Sequence, residues 1–192
     1  MVPASQNDAV PSTPDVTPET VTINLLFGSG VVAGGTGVLL NNEMDDFTLG
    51  PELPNAFRLR GSAANAVAPG KRPLSSMTPT FVEDDRGVLA LGAPGGSRIV
   101  SQVLLGVLDY LAAPDVNLAA IAAAPRYHHQ WWPDVLEIEP GGFSPQWRAA
   151  LEAKGHRIQV VRRKWGNMQL AFQSKAGAAQ SASDPRGADV GW

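Results

Sequence analysis

Short stretches of alternating apolar and polar residues lie towards both ends of the chain, and this pattern predicts β-strands. The stretch "TVTINLLF" at 20–27 alternates and contains β-branched residues, so it predicts a strand. The stretches "FV" and "GVLALG" flank the turn "EDDRG" and predict a hairpin. Further along, "HRIQVV" and "NMQLAFQ" predict two strands that we expect to pair antiparallel.

Three stretches between these ends carry helix signals. The stretch "SRIVSQVLLGVLDYLA" predicts a long helix with Ser97 as its N-cap, and "NLAAIAAAPR" predicts a short helix that Pro125 stops. In "SPQWRAALEAKG", Ser144 caps a helix, Pro145 occupies its first position and Gly155 ends it. Strands at both ends with helices between them indicate an α+β fold rather than repeating βαβ units.

The less regular segments predict one domain behind a tail. Residues 1–19 are rich in Pro, Ser, Thr and Asp without periodicity and predict an irregular tail, which leaves 20–192 as the domain. Glycines separate "VVA" from "GVLL", a pattern typical of tight β-turns. Residues 50–74 predict a long connection, and the Gly-, Ala- and Ser-rich stretch 174–192 predicts weak structure.

Composition and charge narrow the function classes. Hydrophobic residues make up 44% of the chain, which is enough for a core, and the net charge of -3 gives no reason to expect nucleic acid as a partner. The chain has no apolar run long enough to span a bilayer, and the stretch after Met1 lacks the features of a secretory signal. The absence of cysteine excludes disulfides and thiolate chemistry.

A polar cluster, "NNEMDDF" at 41–47, follows a glycine-rich apolar run. Its acids, which include Glu43 and Asp46, allow three interpretations: a solvated loop, a metal site, or a receptor for a ligand's ammonium group. The histidines give a metal site no support, because the adjacent His128 and His129 point apart on either a helix or a strand. We therefore predict no metal and no cofactor.

Two further stretches combine glycine or serine with polar residues. The stretch "GAPGGSR" at 92–98 opens the first long helix, where glycines and unpaired N–H groups suit an anion or a developing oxyanion. A tight turn into a helix is the alternative. In "GKRPLSSM" at 70–77, Ser75 and Ser76 lack the Gly-x-Ser-x-Gly pattern of a nucleophile elbow. They are interpreted as hydrogen-bond donors, with ordinary turn serines as the alternative.

Six blocks, in their order along the chain, resemble the small, C-terminal subunit of γ-glutamyltransferase. They extend from about residue 20 to the end of the chain, and six ordered blocks are far more specific than one short motif. The resemblance implies an N-terminal-nucleophile hydrolase fold, a four-layer αββα sandwich of which this chain supplies an incomplete part. The blocks are "TINLLFGSGVV", "GTGVLLNNEMDDF", "PGKRPLSSMTPT", "GAPGGSRIVSQVLLGVLDYL", "AAPRYHHQW" and "DPRGADVGW".

The family that the chain resembles transfers the γ-glutamyl group of a donor, usually glutathione, to water, an amino acid or a peptide. Matching the blocks residue by residue implies that Asn24, Glu43 and Asp46 hold the α-amino group of the γ-glutamyl substrate. It also implies that Ser75 and Ser76 bind the α-carboxylate. By this resemblance, "NNEMDDF" is one half of an amino-acid clamp.

Within "DDF" the resemblance assigns the clamp to the second aspartate, Asp46. Neighbouring side chains of an extended segment point to opposite faces, so Asp45 then faces away from the substrate. A carboxylate at Asp46 favours substrates with an α-amino group over those of related acylases, whose side chains lack that amine.

The resemblance also implies catalytic roles and one absence. Gly95 and Gly96 would donate backbone N–H groups to the oxyanion, and Thr22 would hydrogen-bond the nucleophile. The family's nucleophile is the N-terminal threonine of a Thr-Thr-His sequence, which a self-cleaving precursor exposes. Residues 1–19 contain no Thr-Thr-His and no strand-like alternation, so we expect the nucleophile and its strand to be missing here.

Two hypotheses follow from the resemblance. In the first, the chain is the small-subunit part of a γ-glutamyltransferase or glutathione hydrolase. Its partner would be a large subunit that supplies an arginine for the carboxylate and half of the sandwich. In the second, it is a truncated, catalytically inactive fragment or degenerate copy that retains only the clamp. Family members are commonly periplasmic or extracellular, but their export signal lies on the large subunit, so no compartment is assigned.

Overall fold

The structure, a computed structural model, describes residues 20–50 and 53–187. Helices and strands are mixed within this part of the chain, which confirms the α+β class. The α-helices are α1 (Arg98–Ala112), α2 (Leu118–Ala123) and α3 (Pro145–Glu152), and two short 3-10 helices span Glu43–Asp46 and Ala63–Asn65. The strands are β1 (Thr80–Glu83), β2 (Gly87–Gly92), β3 (Tyr127–Gln130), β4 (Val135–Ile138), β5 (Ile158–Val160), β6 (Gln169–Ser174) and β7 (Ala179–Ser183).

The larger sheet is antiparallel, with the strand order β1-β2-β6-β7. The predicted hairpin is confirmed as β1 and β2. Side chains alternate between the two faces, so Leu89 and Leu91 of β2 lie beside Phe172 and Leu170 of β6 on one buried face. Helices α1 and α2 pack on this face and complete the main core. The described residues leave the other face of the sheet uncovered, and one side of the candidate site is built on it.

Helix α1 approaches the sheet closely because Gly106 faces it. A Cβ at Gly106 would lie 2.9 Å from Cδ1 of Leu91 and 3.1 Å from Sδ of Met168. The same side of the helix buries Val103 and Tyr110, which are 2% and 0% exposed. The helical period predicted from the sequence therefore has one face in the core. This packing fixes the start of α1, which leads out of the glycine-rich turn.

The smaller sheet has the order β3-β4-β5, with β3 and β4 antiparallel and β4 and β5 parallel. Four buried charges tie its end to the segment that follows β7. Arg186 donates to Glu139 at 2.8 Å and to Asp184 at 3.0 Å, and Arg126 pairs with Asp184 at 2.6 Å. The two positive and two negative charges balance, which offsets the cost of removing them from water.

The predicted strand at 20–27 is wrong. Asn24 has a φ of 71°, and the amide of Gly28 donates to the carbonyl of Leu25 at 2.8 Å, so the chain turns instead of extending. The glycine-rich run beyond it does form turns, with an isolated antiparallel bridge between Val32 and Leu39. Alternation alone does not make a strand, because a strand needs a partner for its backbone groups.

Two predictions about the C-terminal part are also wrong. Strands β5 and β6 exist as predicted but do not pair with each other, because β5 joins β4 while β6 lies between β2 and β7. The stretch from Ser174 is not weakly structured, since it contains β7 and the buried Asp184 and Arg186. The sequence also did not predict β3 and β4. The predicted tail 1–19 and the missing nucleophile strand fall outside the described residues, as does the end of the chain from 188.

The three predicted helices are confirmed, with one difference at a cap. Asn117 and Ser144 accept hydrogen bonds from the first turns of α2 and α3, and Pro145 lies at the start of α3. Ser97 stands at the N-cap position of α1, but its side chain accepts no capping hydrogen bond. Its φ and ψ of -57° and -24° are already helical, and an N-cap residue bonds the helix from an extended backbone.

Candidate functional site

A pocket of about 630 Å³ on the open side of the larger sheet brings together all eight residues that the resemblance singled out. Its walls come from the segment at 20–24, the 3-10 helix Glu43–Asp46, the segment at 75–79, and the turn between β2 and α1. Strands β2 and β6 supply one side. The eight residues in its lining are Thr22, Asn24, Glu43, Asp46, Ser75, Ser76, Gly95 and Gly96.

The 3-10 helix explains which acids reach the pocket. With three residues per turn, side chains at i and i+3 lie above one another, so Glu43 and Asp46 share a face. Asp45 lies outside the pocket lining, and its Oδ2 accepts a hydrogen bond from the amide of Ala56 at 3.3 Å. The extended segment expected from the sequence is therefore wrong, because Glu43–Asp46 forms a 3-10 helix. Asp46 nevertheless lines the pocket and Asp45 does not.

The two pocket acids create an unbalanced negative region. The pKa of Asp46 is raised to about 6, first by burial and then by the neighbouring carboxylates of Glu43 and Asp45. Oε1 of Glu43 is buried and has no hydrogen-bond partner among the residues that the structure describes. A buried, unpartnered carboxylate oxygen beside an acid with a raised pKa is a place where a donor with positive charge binds favourably.

Asn24 and Thr22 are held beside these acids by the turn that replaced the predicted strand. Nδ2 of Asn24 donates to the carbonyl of Asn42 at 3.1 Å, and Oδ1 of Asn42 accepts from the amide of Leu25 at 3.0 Å. Oγ1 of Thr22 accepts from the amide of Asn24 at 2.9 Å. These bonds attach the 22–25 segment to the residue before the 3-10 helix, so the two segments form one wall.

The serine segment is positioned by Asn65, a residue that the sequence analysis did not single out. Its Nδ2 donates to the carbonyl of Asp46 at 2.8 Å, and its Oδ1 accepts from the amide of Leu74 at 3.0 Å. One amide side chain therefore connects the 3-10 helix Glu43–Asp46, which we call the acid helix, to the residues just before Ser75 and Ser76. Both serines line the pocket, and Oγ of Ser75 also accepts from the amide of Met77 at 3.2 Å.

The turn before α1 is shaped by Gly96. Its φ of 57° lies in the left-handed region, and a Cβ there would lie 2.1 Å from a ring carbon of Phe57. Phe57, which the sequence analysis also missed, lines the pocket from the loop after 53. Nε2 of Gln102 donates to the carbonyl of Pro94 at 2.9 Å and fixes the start of the turn. Gly95 and Gly96 thus line the pocket at the N-terminus of a helix, where partial positive charge favours anions.

The remaining polar candidates lie apart from this pocket. His128 and His129 point apart as expected: His128 lies between Ser101 and Gln130, while His129 contacts Asp134. Burial lowers the pKa of His128. In the part of the chain that the structure describes, no three His, Asp or Glu side chains form a group suited to a metal ion. No helix within those same ranges is long and apolar enough to cross a membrane.

Comparison with known proteins shows the family to which the chain belongs. The family described as Gamma-glutamyltranspeptidase matches residues 13–191. This chain belongs to the gamma-glutamyltranspeptidase family. It is 47% identical over 171 residues to the glutathione hydrolase proenzyme of Escherichia coli, a match that covers 88% of this chain and 29% of that protein. The chain therefore spans less than a third of the length of that relative.

Solved members of the family share the fold. A mutant γ-glutamyltranspeptidase of Helicobacter pylori aligns with a TM-score of 0.81 and 39% identity, covering 88% of this chain and 91% of the solved chain. The γ-glutamyltranspeptidase of Pseudomonas nitroreducens, solved in complex with L-DON, aligns with a TM-score of 0.76 and 41% identity. That alignment covers 88% of both chains. The α+β architecture seen here is part of the N-terminal-nucleophile hydrolase fold of gamma-glutamyltranspeptidases.

Proposed function

We propose that this chain forms the γ-glutamyl-binding part of a glutathione hydrolase or γ-glutamyltransferase. In the complete assembly, a γ-glutamyl amide such as glutathione is cleaved and its glutamyl group passes to water or to an amino acid. The observation that carries this proposal is the pocket itself, which has an acid pair, two serines and a glycine turn around one volume. The partner in that assembly is the part of the gamma-glutamyltranspeptidase chain that corresponds to the large subunit.

The pocket suits an amino acid better than a plain carboxylic acid. Glu43 and Asp46 offer oxygens to an ammonium group, and Asn24 stands beside them. Ser75 and Ser76 offer hydroxyl donors to a carboxylate. Charge-assisted hydrogen bonds of this kind are shorter and stronger than neutral ones, so the α-amino group supplies much of the recognition.

The catalytic roles are proposed for the glycine turn and for Thr22. An oxyanion that forms at the amide carbon would receive backbone N–H groups from Gly95 and Gly96, at a turn that is held rigid before the reaction. The hydroxyl of Thr22 already accepts from the amide of Asn24, so its own proton points to another acceptor, such as the family's threonine nucleophile. We propose acyl transfer for the assembly and glutamyl binding for this chain.

Calorimetric titration of the chain with three ligands tests the clamp. L-glutamate has both α groups, glutarate lacks the amine, and 4-aminobutyrate lacks the α-carboxylate. We expect heat of binding from L-glutamate alone. The Asp46→Asn variant should lose about 2–5 kcal/mol of binding free energy, a fall in affinity of about 30-fold or more.

The matched control is Asp115→Asn, because Asp115 is an exposed aspartate in the connection between α1 and α2. That variant should bind L-glutamate like the parent chain. Equal binding of glutarate and L-glutamate would show that the acid pair does not receive an amine. Asp45→Asn is a poorer control, since Asp45 accepts a hydrogen bond from Ala56 and positions the loop that carries Phe57.

A further inference from the structure

A second cavity, of about 290 Å³, lies next to the pocket, between the start of α1 and the smaller sheet. Strands β3, β4 and β5 supply one wall, and the loop at 56–58 supplies another. Phe57 and Gly95 line both cavities, so the pocket and the second cavity meet at one ring and one turn. A ligand that extends past the glycine turn would therefore continue into the second cavity.

The charges in the lining of the second cavity leave one positive charge without compensation. Arg98 and Glu137 form a salt bridge there, in which Nε of Arg98 donates to Oε2 of Glu137 at 3.2 Å. His128 is buried, and burial lowers its pKa, so it adds no charge at neutral pH. The remaining charged residue is Arg58. No hydrogen bond or ion pair joins its guanidinium group to the part of the chain that the structure describes.

Ser97 adds a second donor to this cavity. Its side chain lines the cavity, and it does not cap α1 although it stands at the N-cap position. Its hydroxyl group bonds no other residue within the described ranges. A guanidinium group and a hydroxyl group without protein partners therefore line one cavity at the N-terminus of a 15-residue helix. Such a set of donors suits a carboxylate.

The backbone at Arg58 has a conformation that arginine rarely adopts. Its φ of 61° lies in the left-handed region. Asn55 imposes this turn, because its Oδ1 accepts from the amides of Phe57 and Leu59, each at 3.0 Å, and its carbonyl accepts from the amide of Arg58 at 2.9 Å. Glycine would adopt this φ without strain. An arginine held in a strained conformation at the wall of a cavity indicates that its side chain is used there.

The covalent structure of the proposed donor indicates what enters the second cavity. In glutathione the γ-glutamyl carbonyl is joined to cysteinylglycine, and the proposed oxyanion donors hold that carbonyl at the turn of Gly95 and Gly96. The terminal carboxylate lies two residues beyond it, at most about 7 Å away in an extended chain. We infer that the second cavity binds the leaving dipeptide and that Arg58 and Ser97 receive its carboxylate. This inference rests on the proposed function, which places the γ-glutamyl group in the pocket.

Calorimetric titration of the chain with glutathione and with its C-terminal amide tests this role, because the two ligands differ only in the terminal carboxylate. We expect the parent chain to bind glutathione about ten-fold more tightly than the amide, since a charge-assisted hydrogen bond is lost in the amide. The Arg58→Gly variant should bind the two ligands equally and L-glutamate as the parent does. Its urea unfolding midpoint should stay close to that of the parent, because glycine accepts the φ at this position.

The matched control is Arg163→Gly. Arg163 is an exposed arginine that lines neither cavity. This variant should keep the ten-fold preference for glutathione over the amide. The control therefore separates the loss of any surface arginine from the loss of the one at the second cavity.

Equal binding of glutathione and its amide by the parent chain would overturn the inference, as would a preference that Arg58→Gly retains. The same comparison with cysteinylglycine and its amide needs no γ-glutamyl pocket, so the two proposals fail separately. If L-glutamate does not bind, the proposed function fails, while a preference for free cysteinylglycine that Arg58→Gly removes still supports the second cavity as a dipeptide site. The absence of binding by both peptides, or their equal binding with their amides, would overturn it.

Discussion

Replacing Glu139 by glutamine should destabilise the fold more than any surface charge change in this chain. The Glu139 side chain is 1% exposed and accepts from Nε of Arg186 at 2.8 Å, from the amide of Trp165 at 3.0 Å and from the amide of Arg126 at 3.1 Å. Glutamine keeps the shape of the glutamate side chain, but its NH2 group then faces N–H donors that the carboxylate oxygens had accepted from. It also leaves two buried guanidinium groups with the single carboxylate of Asp184.

Breaking a buried ion pair from one side costs about 3–5 kcal/mol, because the remaining charge is uncompensated. With a urea dependence of about 1–3 kcal/mol per molar for a domain of this size, the unfolding midpoint should fall by about 1–5 M. The assay is urea unfolding followed by tryptophan fluorescence at low protein concentration. Trp165, whose amide donates to Glu139, is one of the five tryptophans that contribute to this signal.

The same chemical change at an exposed pair is the control. Glu83 pairs with Lys175 at 3.0 Å, and their side chains are 40% and 53% exposed. Glu83→Gln should cost under about 1 kcal/mol, since water screens this pair. If Glu139→Gln and Glu83→Gln shift the midpoint equally, the four buried charges do not hold the segment after β7 in place, and the reasoning from burial fails.

Three further predictions follow. The pKa of Asp184 is lowered, because hydrogen bonds from Arg186 and Met168 and the charge of Arg126 outweigh the effect of burial. The folding stability that the Asp184 carboxylate contributes is present above its unfolded-state pKa. It disappears as pH falls through the lower folded-state pKa. Urea midpoints at pH 7 and pH 3 should therefore show that Asp184→Asn costs less stability at pH 3 than at pH 7. Gly96→Ala should abolish L-glutamate binding in calorimetry while α1 persists in circular dichroism, because the new Cβ displaces the neighbouring ring; unchanged binding would contradict the turn geometry. Affinity for L-glutamate should fall as pH drops through about 6, where Asp46 takes up a proton, and Asp46→Asn should remove that dependence.

The helices could be predicted because their signals are local. Period, caps and stop residues lie within one stretch of chain, and Asn117, Ser144 and Pro145 act in the structure as the sequence indicates. The β1–β2 hairpin was equally local, since one short turn joins its strands. Elements decided by distant partners were missed. Strand β7 has the sequence "AQSAS", with no β-branched residue, and exists because β6 pairs with it and because Arg186 is buried beyond it.

The candidate site shows the same division. The resemblance supplied eight lining residues, and no propensity argument would have placed Thr22 near Ser75. Asn65 was missed because a lone asparagine inside a long connection carries no local signal, although it bonds both the acid helix and the serine segment. Phe57 was missed for a similar reason, since its importance arises from a contact with Gly96 across 39 positions of sequence.

Three acids of the described residues, Asp46, Asp84 and Asp184, differ in how the fold changes their pKa, and the difference supports a binding role for the pocket. Asp84 is bonded by Arg86, which lowers its pKa to about 2, and the pKa of Asp184 is likewise lowered within the buried network. Each of these acids has a protein cation beside it, and each stabilises the fold at neutral pH. Asp46 behaves in the opposite way, because its burial and the neighbouring carboxylates all raise its pKa. Glu43 contributes more to this rise than Asp45 does. An acid that the fold leaves without compensation lowers stability at neutral pH, and a ligand ammonium would reverse the sign of that contribution. A ligand ammonium bound beside Asp46 would therefore stabilise its ionised form, as Arg86 stabilises that of Asp84, and this stabilisation would contribute to the affinity for an amine.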